Sequence, residues 1–264
     1  MPTSVTGTSS LSAATVVLYG EAASDRAGRW VSAEVDVDGD GEADVLVGAY
    51  QSDGDGSVAD AGRAYLVSGA GITTGSLADA EAVYTGEKTT HQAGYTVDND
   101  GDIDGDGYDD ILISAVYENS VANRNGAVYV VYGPPTGSLT LSSADAKLVG
   151  VARQDHAGVR TSMVEDANGD GRDEVLIGSF GVDAGGTDAG AAYVCYGPVT
   201  GTLSLSSADG RFIGEAANDK AGTSVSGAGD VNNDGYGDLL VGSIAEAAGG
   251  TNAGAAYLIL GSGW

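Results

Sequence analysis

The sequence predicts an all-β fold, a β-propeller built from four-stranded antiparallel blades, on three observations. The chain repeats itself four times with a period of about 64 residues. Each copy carries four short apolar segments bounded by Gly, Asp, Asn and Ser. No stretch sustains the 3.6-residue apolar period of an amphipathic helix, so the SSADA-type segments allow one helical turn at most.

The repeat is fixed by two anchors. Tyr65, Tyr129, Tyr193 and Tyr257 lie 64 residues apart in GRAYLVSG, GAVYVVYG, GAAYVCYG and GAAYLILG, and Gly28, Gly94, Gly158 and Gly222 recur upstream in AGRWV, AGYTV, AGVRT and AGTSV. The only length change is two extra residues in the YQSDGDGSVADAG loop of the first copy. One domain over 1–264 is therefore expected, with repeats over about 21–86, 87–150, 151–214 and 215–264 and an N-terminal closing strand at 11–20. In the last repeat the expected strands are Phe212–Ile213, Thr223–Ser226, Leu239–Val241 and Ala256–Leu260. Four strands per copy, stacked as successive small sheets, describe propeller blades.

The N-terminal LSAATVVLYGE aligns with LSSADGRFIGE ahead of the last copy. Val16–Tyr19 is thus expected to complete the blade that the fourth copy leaves one strand short, closing the ring and removing two exposed edges. Closure within a monomer would give four blades; closure across a homodimer would give eight.

Each copy holds an acidic loop of the form D-x-[DN]-x-D-G-x-x-[DE] before an aliphatic segment. Oxygen-bearing side chains fall at positions 1, 3, 5 and 9: Asp36, Asp38, Asp40 and Asp44; Asp102, Asp104, Asp106 and Asp110; Asp166, Asn168, Asp170 and Glu174; Asp230, Asn232, Asp234 and Asp238. Alternate residues of a tightly curled loop point to one centre, and glycine at position 6 permits the curl. Position 7 (Glu42, Tyr108, Arg172, Tyr236) varies in chemistry, as expected of a residue that lends only its backbone carbonyl. Several hard oxygens around one point suit Ca²⁺ better than Mg²⁺, giving about four Ca²⁺ per chain. An EF-hand is excluded, because its twelfth residue should be Glu and here reads Val47, Ile113, Ile177 and Val241, with an aliphatic strand following directly.

Composition supports this. Eleven Lys and Arg against 38 Asp and Glu give a formal charge of −27, which argues against nucleic acid or anionic membrane as partner; four bound Ca²⁺ would bring it to −19. A hydrophobic content of 42% suffices for a core, so the acidity does not signal disorder. No apolar run is long enough for a membrane span. A single cysteine, Cys195, excludes an intramolecular disulfide framework and a cysteine metal site. Met1–Ser10 lacks the apolar run of a secretory leader, so such a leader was removed or never present.

GDVNNDGYGDLLVGS (Gly229–Ser243) and GDIDGDGYDDILISA (Gly101–Ala115), each followed by G-A-x-Y, closely resemble FG-GAP repeats of the integrin α-subunit β-propeller, and the resemblance covers essentially the whole chain. It implies calcium in the β-hairpin loops of the blades, held by the side chains at positions 1, 3, 5 and 9. The name-giving Phe-Gly reads Ala-Gly in all four copies, and Gly-Ala-Pro reads Gly48-Ala49-Tyr50, Ser114-Ala115-Val116, Gly178-Ser179-Phe180 and Gly242-Ser243-Ile244. Integrin propellers have seven blades, against four repeats here.

Three classes of function compete. The favoured one is a non-catalytic, calcium-stabilised binding or adhesion module for a protein or glycan, extracellular or at the cell surface, in which recognition belongs to residues that break the repeat: the 51–61 loop, Tyr117–Asn125, and Arg29, Trp30, Tyr95 and Arg160. The alternative is an engineered or structural self-associating repeat protein, since near-identical copies also arise by recent amplification or consensus design. A carboxylate-dependent glycan-processing enzyme is disfavoured. His91 and His156 occupy different registers, and His156, aligned with Arg26, Gln92 and Lys220, reads as solvated surface. Cys195, aligned with Val67, Val131 and Ile259, reads as a small buried hydrophobe. No G-x-S-x-G is present. Asp53 and Asp55 read as a solvated turn, and Asp98 and Asp100 as carboxylates that add field without coordinating.

Overall fold

A computed structural model describes residues 10–33, 35–53, 59–135 and 137–262. The described chain opens with β1 (Leu18–Tyr19). The first antiparallel sheet comprises β2 (Trp30–Ala33), β3 (Val45–Ala49), β4 (Arg63–Val67) and, past the two-residue β5 (Gly75–Ser76), β6 (Ala82–Thr85). The second comprises β7 (Ala93–Asp98), β8 (Ile111–Ala115), β9 (Ala127–Val131) and, past β10 (Leu139–Thr140), β11 (Ala146–Val149). The third comprises β12 (Arg160–Val164), β13 (Glu174–Ser179), β14 (Ala191–Cys195) and, past β15 (Gly201–Ser204), β16 (Gly210–Ile213). β17 (Ala221–Gly229), β18 (Asp238–Ser243) and β19 (Ala255–Ile259) form a fourth sheet of three strands. The only helical elements among the described residues are four single 3-10 turns, so none is long and apolar enough to cross a membrane.

The sheets stack face to face, and the core lies between them. One apolar cluster joins the first sheet to the second through Leu46, Leu66, Tyr84, Ile111, Ile113 and Tyr129. A second joins the second to the third, and a third joins the third to the fourth through Leu176, Val194, Leu239 and Val241. Every residue of β8, β9 and β14 is buried, because strands covered on both faces need apolar side chains throughout. Cys195 lies in that core, and burial pushes its thiol up to about 12. The four tyrosines marking the repeat sit on the third strand of each sheet, and three of them are fully buried.

Short parallel strands stitch each sheet to the next: β10 pairs with β6, β15 with β11, and β5 with β1. The inner strands are joined as well. Asp98 accepts from the Ser32 hydroxyl at 3.2 Å and from the Met163 N–H at 2.8 Å, and Gly227 N–H donates to Ser162 at 3.1 Å. Asp98 thus ties three inner strands together, a contact that a purely electrostatic role does not describe. The Arg160 guanidinium lies 3.5 Å from the Trp30 ring centroid, so this pair packs two inner strands together, although Arg160 Nη1 is buried without a hydrogen-bond partner. Inner-strand residues of all four sheets, among them Ala33, Asp98, Met163 and Gly227, line one central cavity of about 900 Å³.

The two ends of the stack are open. Leu46, Leu112 and Leu176 are fully buried, whereas their counterpart Leu240 is 38% exposed. At the other end Val31 is 59% exposed, against buried counterparts Val97, Thr161 and Val225. In the N-terminal segment, Leu18–Tyr19 pairs in parallel with Gly75–Ser76, in the register in which β11 pairs with β15, and no pairing with β19 is present among the described residues. Leu11 opens a 3-10 turn N-capped by Ser10, equivalent to those at Leu77, Leu141 and Leu205; those three leucines are buried and Leu11 is 89% exposed.

Candidate metal centres

Each acidic loop connects the first two strands of its sheet and curls around its own first carboxylate. In loop 1, Asp36 accepts from the N–H groups of Gly39, Asp40 and Gly41 at 2.7–3.0 Å, Asp38 accepts from Asp40, and Asp40 accepts from Glu42. Asp102 and Asp166 hold the same three N–H groups of their loops, while Asp230 holds those of Asp234 and Gly235. In loops 1 to 3, Oδ1 of this first carboxylate takes two of the N–H groups and Oδ2 the third, which leaves a lone-pair site on Oδ2 free for a cation. Position 6 has open space around it and a φ of +86° to +95° in all four copies, the conformation that the curl requires of glycine.

In three loops the carboxylates converge. Oxygens of Asp36, Asp38 and Asp40 lie within 4.8 Å of one another, as do those of Asp102, Asp104 and Asp110, and those of Asp166, Asp170 and Glu174. Asp106 holds the Tyr108 N–H and Asn168 the Asp170 N–H, in the places the loop pattern gives them. In loop 4, Asn232 and Asp234 repeat these bonds, and the Asn232 amide also donates to Asp234 at 2.8 Å.

Position 9 does more than the sequence suggests. Asp44, Asp110 and Asp238 are fully buried. One oxygen of each accepts from the position-2 N–H of its loop, and the other accepts from Gly69, Gly133 or Gly261 just past the third strand. This carboxylate clamps the loop to its sheet. Glu174, one methylene longer, keeps the bond to Ala167 N–H at 2.7 Å but leaves Oε1 buried without a hydrogen-bond partner.

Burial pushes Asp110 up to about 7, only partly offset by its backbone hydrogen bonds, and the charges of Asp104 and Asp102 add to the rise. Glu174 is likewise raised to about 7 by burial and by Asp166, Asp170 and Asp173, and Asp44 is raised for the same reason. Glu81 from the first sheet reaches Asp38 and rises to about 7 through burial and that shared hydrogen bond. The sequence reading missed Glu81, although it sits at the register of Asp145 and Asp209, a recurrence visible in the repeat.

The side chains at position 7, for which the sequence suggested no role, make contacts between loops. Tyr108 lies over Gly39 of the preceding loop, Tyr236 lies over Gly169, and Arg172 covers Gly105 while donating from Nε to the Asp104 carbonyl at 3.0 Å. Asp173 adds a second link by accepting from Asp102 N–H at 2.9 Å. The loops therefore form a connected row.

The two histidines lie elsewhere. His91 is buried, with Nε2 3.0 Å from Asn119 Oδ1, beside Glu87 and Glu118, whose carboxylates both bind Lys147. His156 is not a solvated surface residue. It is half-buried, stacked on Phe180 at 5.0 Å and edge-on to Tyr117. Asp53 accepts from Asp60 N–H at 2.8 Å, and Asp55 lies outside the described residues.

A family profile described as FG-GAP repeat matches residues 27–67, 93–131 and 221–259. The chain carries three FG-GAP repeats. The third repeat lies outside those matches, yet its strands and loop keep the register of the other three. Among curated proteins, the chain is 33% identical over 111 residues to integrin alpha-PS2 of Drosophila melanogaster, covering 41% of this chain and 8% of that protein. It is 32% identical over 168 residues to integrin alpha-4 of Xenopus laevis (61% and 15%), and 29% identical over 158 residues to integrin alpha-5 of Xenopus laevis (56% and 14%). The matches thus span only 8–15% of the length of these relatives.

The FG-GAP register explains the glycines of the junctions. Gly62, Gly126 and Gly190, which open G-[AR]-[AV]-Y, bridge in parallel to Ala93, Ala157 and Ala221 of the next repeat's Ala-Gly. The Ala157 N–H donates to the Asn125 carbonyl at 2.9 Å, and its counterparts do the same. Backbone meets backbone there, with no room for a side chain.

Proposed function

We propose that the chain is a non-catalytic, calcium-stabilised β-propeller module with an extracellular binding or adhesion role. The observation that carries it is the convergence of carboxylate oxygens in three of the four acidic loops, in one recurring register, with the position-9 acids Asp44, Asp110 and Glu174 raised by burial and by like charge. A divalent cation would remove both penalties. The residues that would hold it are the side chains at positions 1, 3, 5 and 9 and the carbonyls of Glu42, Tyr108, Arg172 and Tyr236. It would supply rigidity, not reactivity, so that its binding free energy becomes folding free energy. The relatives' identity as integrin alpha subunits supports adhesion and the location. Metal analysis of purified, undialysed protein should return calcium near four per chain. EDTA at pH 7.5 should lower the melting temperature, and Asp106→Ala should lower it less, since three loops remain. No calcium, together with a melt indifferent to EDTA, would sink this reading.

The same reading includes a closed ring, in which the Leu11–Tyr19 segment covers β19, supported by the exposure of Leu11 at one end and of Leu240 and Leu258 at the other. Homodimeric closure would give eight blades and monomeric closure four; light scattering of the protein in solution decides between them.

A further inference from the structure

We propose that a groove between the first and second sheets, on the face opposite the acidic loops, binds an acidic saccharide bearing a carboxylate or sulfate. This names the ligand class for the binding module proposed above and rests on that reading. The groove has a volume of about 580 Å³. It is bounded by the segments after β3 and β8, and since the acidic loops precede those five-residue strands, the two features lie at opposite ends of each sheet.

Its electrostatics run against the rest of the molecule. The chain has 38 acids and 11 bases, yet among the described residues no acid lines this groove, while Arg29 and Arg124 both do. Neither arginine forms an ion pair; the salt bridges among the described residues belong to Arg63 and Lys147. Both are exposed and rest on aromatic rings. Arg29 stands 3.9 Å from the Tyr95 centroid and 5.3 Å from that of Tyr50, and Arg124 stands 5.0 Å from that of Tyr117. A guanidinium stacked through its face keeps its N–H edge available for bidentate bonds to a carboxylate or sulfate.

The rings beneath are held in place. Tyr50, Tyr95 and Tyr117 meet edge to face at 5.5 and 6.5 Å, and the row continues through His156 to Phe180. Half-buried tyrosines offer an apolar surface to the C–H faces of a sugar ring and a hydroxyl to its polar edge. Asn119 and Asn123 add amide groups that can both donate to and accept from sugar hydroxyls. A flat polar ligand with one strong charge matches this set. An acidic peptide would rely on main-chain pairing, and β3 and β8, the strands whose ends bound the groove, are each paired on both sides within their sheets.

The fold does not require these residues. Arg124 has a φ of +57°, and the residues at its register are Asp60, Asp188 and Asn252, also at positive φ. Asp and Asn suit that conformation better than arginine. Arg29 corresponds to Tyr95, Val159 and Thr223, and Tyr117 to Gln51, Gly181 and Ala245. An arginine in a left-handed position, stacked on a tyrosine that also breaks the repeat, is retained for something other than the sheet.

The test uses the full chain in calcium with four probes measured by calorimetry: a galacturonic acid tetrasaccharide, a chondroitin sulfate tetrasaccharide, a neutral galactose tetrasaccharide and a hexaglutamate peptide. Binding of at least one acidic saccharide is expected, at least tenfold tighter than the neutral sugar and weakening as salt rises. The first two probes separate carboxylate from sulfate recognition. Arg124→Asp and Arg29→Thr install residues that the other repeats carry, so both should melt like the parent yet lose binding at least tenfold. Equal affinity for the neutral sugar, unchanged affinity in both variants, or binding of the peptide alone would overturn the proposal. An unbiased array of glycans and matrix proteins separates the two readings: a ligand whose binding survives Arg124→Asp removes the groove but keeps the binding module, whereas no ligand at all removes both.

Discussion

In EDTA, the protein is expected to melt at a higher temperature at pH 5 than at pH 8, and saturating calcium is expected to reverse that order. Asp110 and Glu174 titrate at about 7 in the fold against ordinary values of 3.8 and 4.5, because burial and neighbouring carboxylates penalise their charged forms. Between those limits the folded chain keeps protons that the unfolded chain has released. Stability therefore falls as pH rises through that window, and the loss is complete above about 7. Two or more such groups should move the midpoint on the order of 10 °C for a domain of this size. With calcium bound, protons compete with the ion, and acidification should destabilise instead. Repulsion among 38 acids shares the first sign, so a variant is needed to isolate the loops. Glu174→Gln serves, because its oxygen can keep the bond to Ala167 N–H while its amide fills the place of the unpartnered Oε1. In EDTA at pH 8 that variant should melt above the parent and show a shallower pH slope. A parent melt that falls from pH 8 to pH 5 in EDTA would contradict the electrostatics described here.

Gly126→Ala should be severely damaging, as one of a set of junction glycines, with Gly62 and Gly190, whose added methyl would meet backbone of the next repeat. Its Cβ would sit 2.2 Å from the Ala157 carbonyl oxygen and 2.5 Å from the Ala157 nitrogen, both backbone atoms that cannot step aside, at a φ of +76°. The second and third sheets would be forced apart at the point where their backbones join. A loss above about 4 kcal/mol is expected, by the strain and lost packing that such collisions impose. Gly107→Ala provides the contrast. It shares the positive φ but meets open space, so about 1–2 kcal/mol is expected. Gly254→Ala reports on the open end, since its nearest neighbour is a carbonyl of its own sheet at 3.2 Å. It should behave like Gly107→Ala in an open chain and like Gly126→Ala in a closed ring, where Ala27 would sit against it. Chemical denaturation of the three variants, at concentrations on both sides of any association, gives the ranking.

The repeat, the strand positions and the acidic loops were legible in the sequence because each is a local property. An aliphatic run between Gly and Asp clusters becomes a strand whatever its neighbours, and D-x-[DN]-x-D-G curls around its own first carboxylate through bonds spanning five residues or fewer. Val31 and Leu240 were legible only as strand residues, because burial depends on which sheet lies opposite. The closing role expected of Val16–Tyr19 is written into the sequence as a register, and its pairing with Gly75–Ser76 repeats that of β11 with β15, but which third strand it covers depends on how the two ends of the stack meet.

What the sequence determined by itself was therefore everything carried within one repeat: four β units, four oxygen-rich curls and the face each strand residue takes. Only the tertiary structure decided what happens between repeats. It set Tyr108, Arg172 and Tyr236 over the preceding loops, made Gly126 a point of backbone contact, and brought Arg29, Arg124 and three tyrosines to one groove. The physical reason is that these contacts join residues many positions apart, through sheet stacking whose geometry no local pattern encodes.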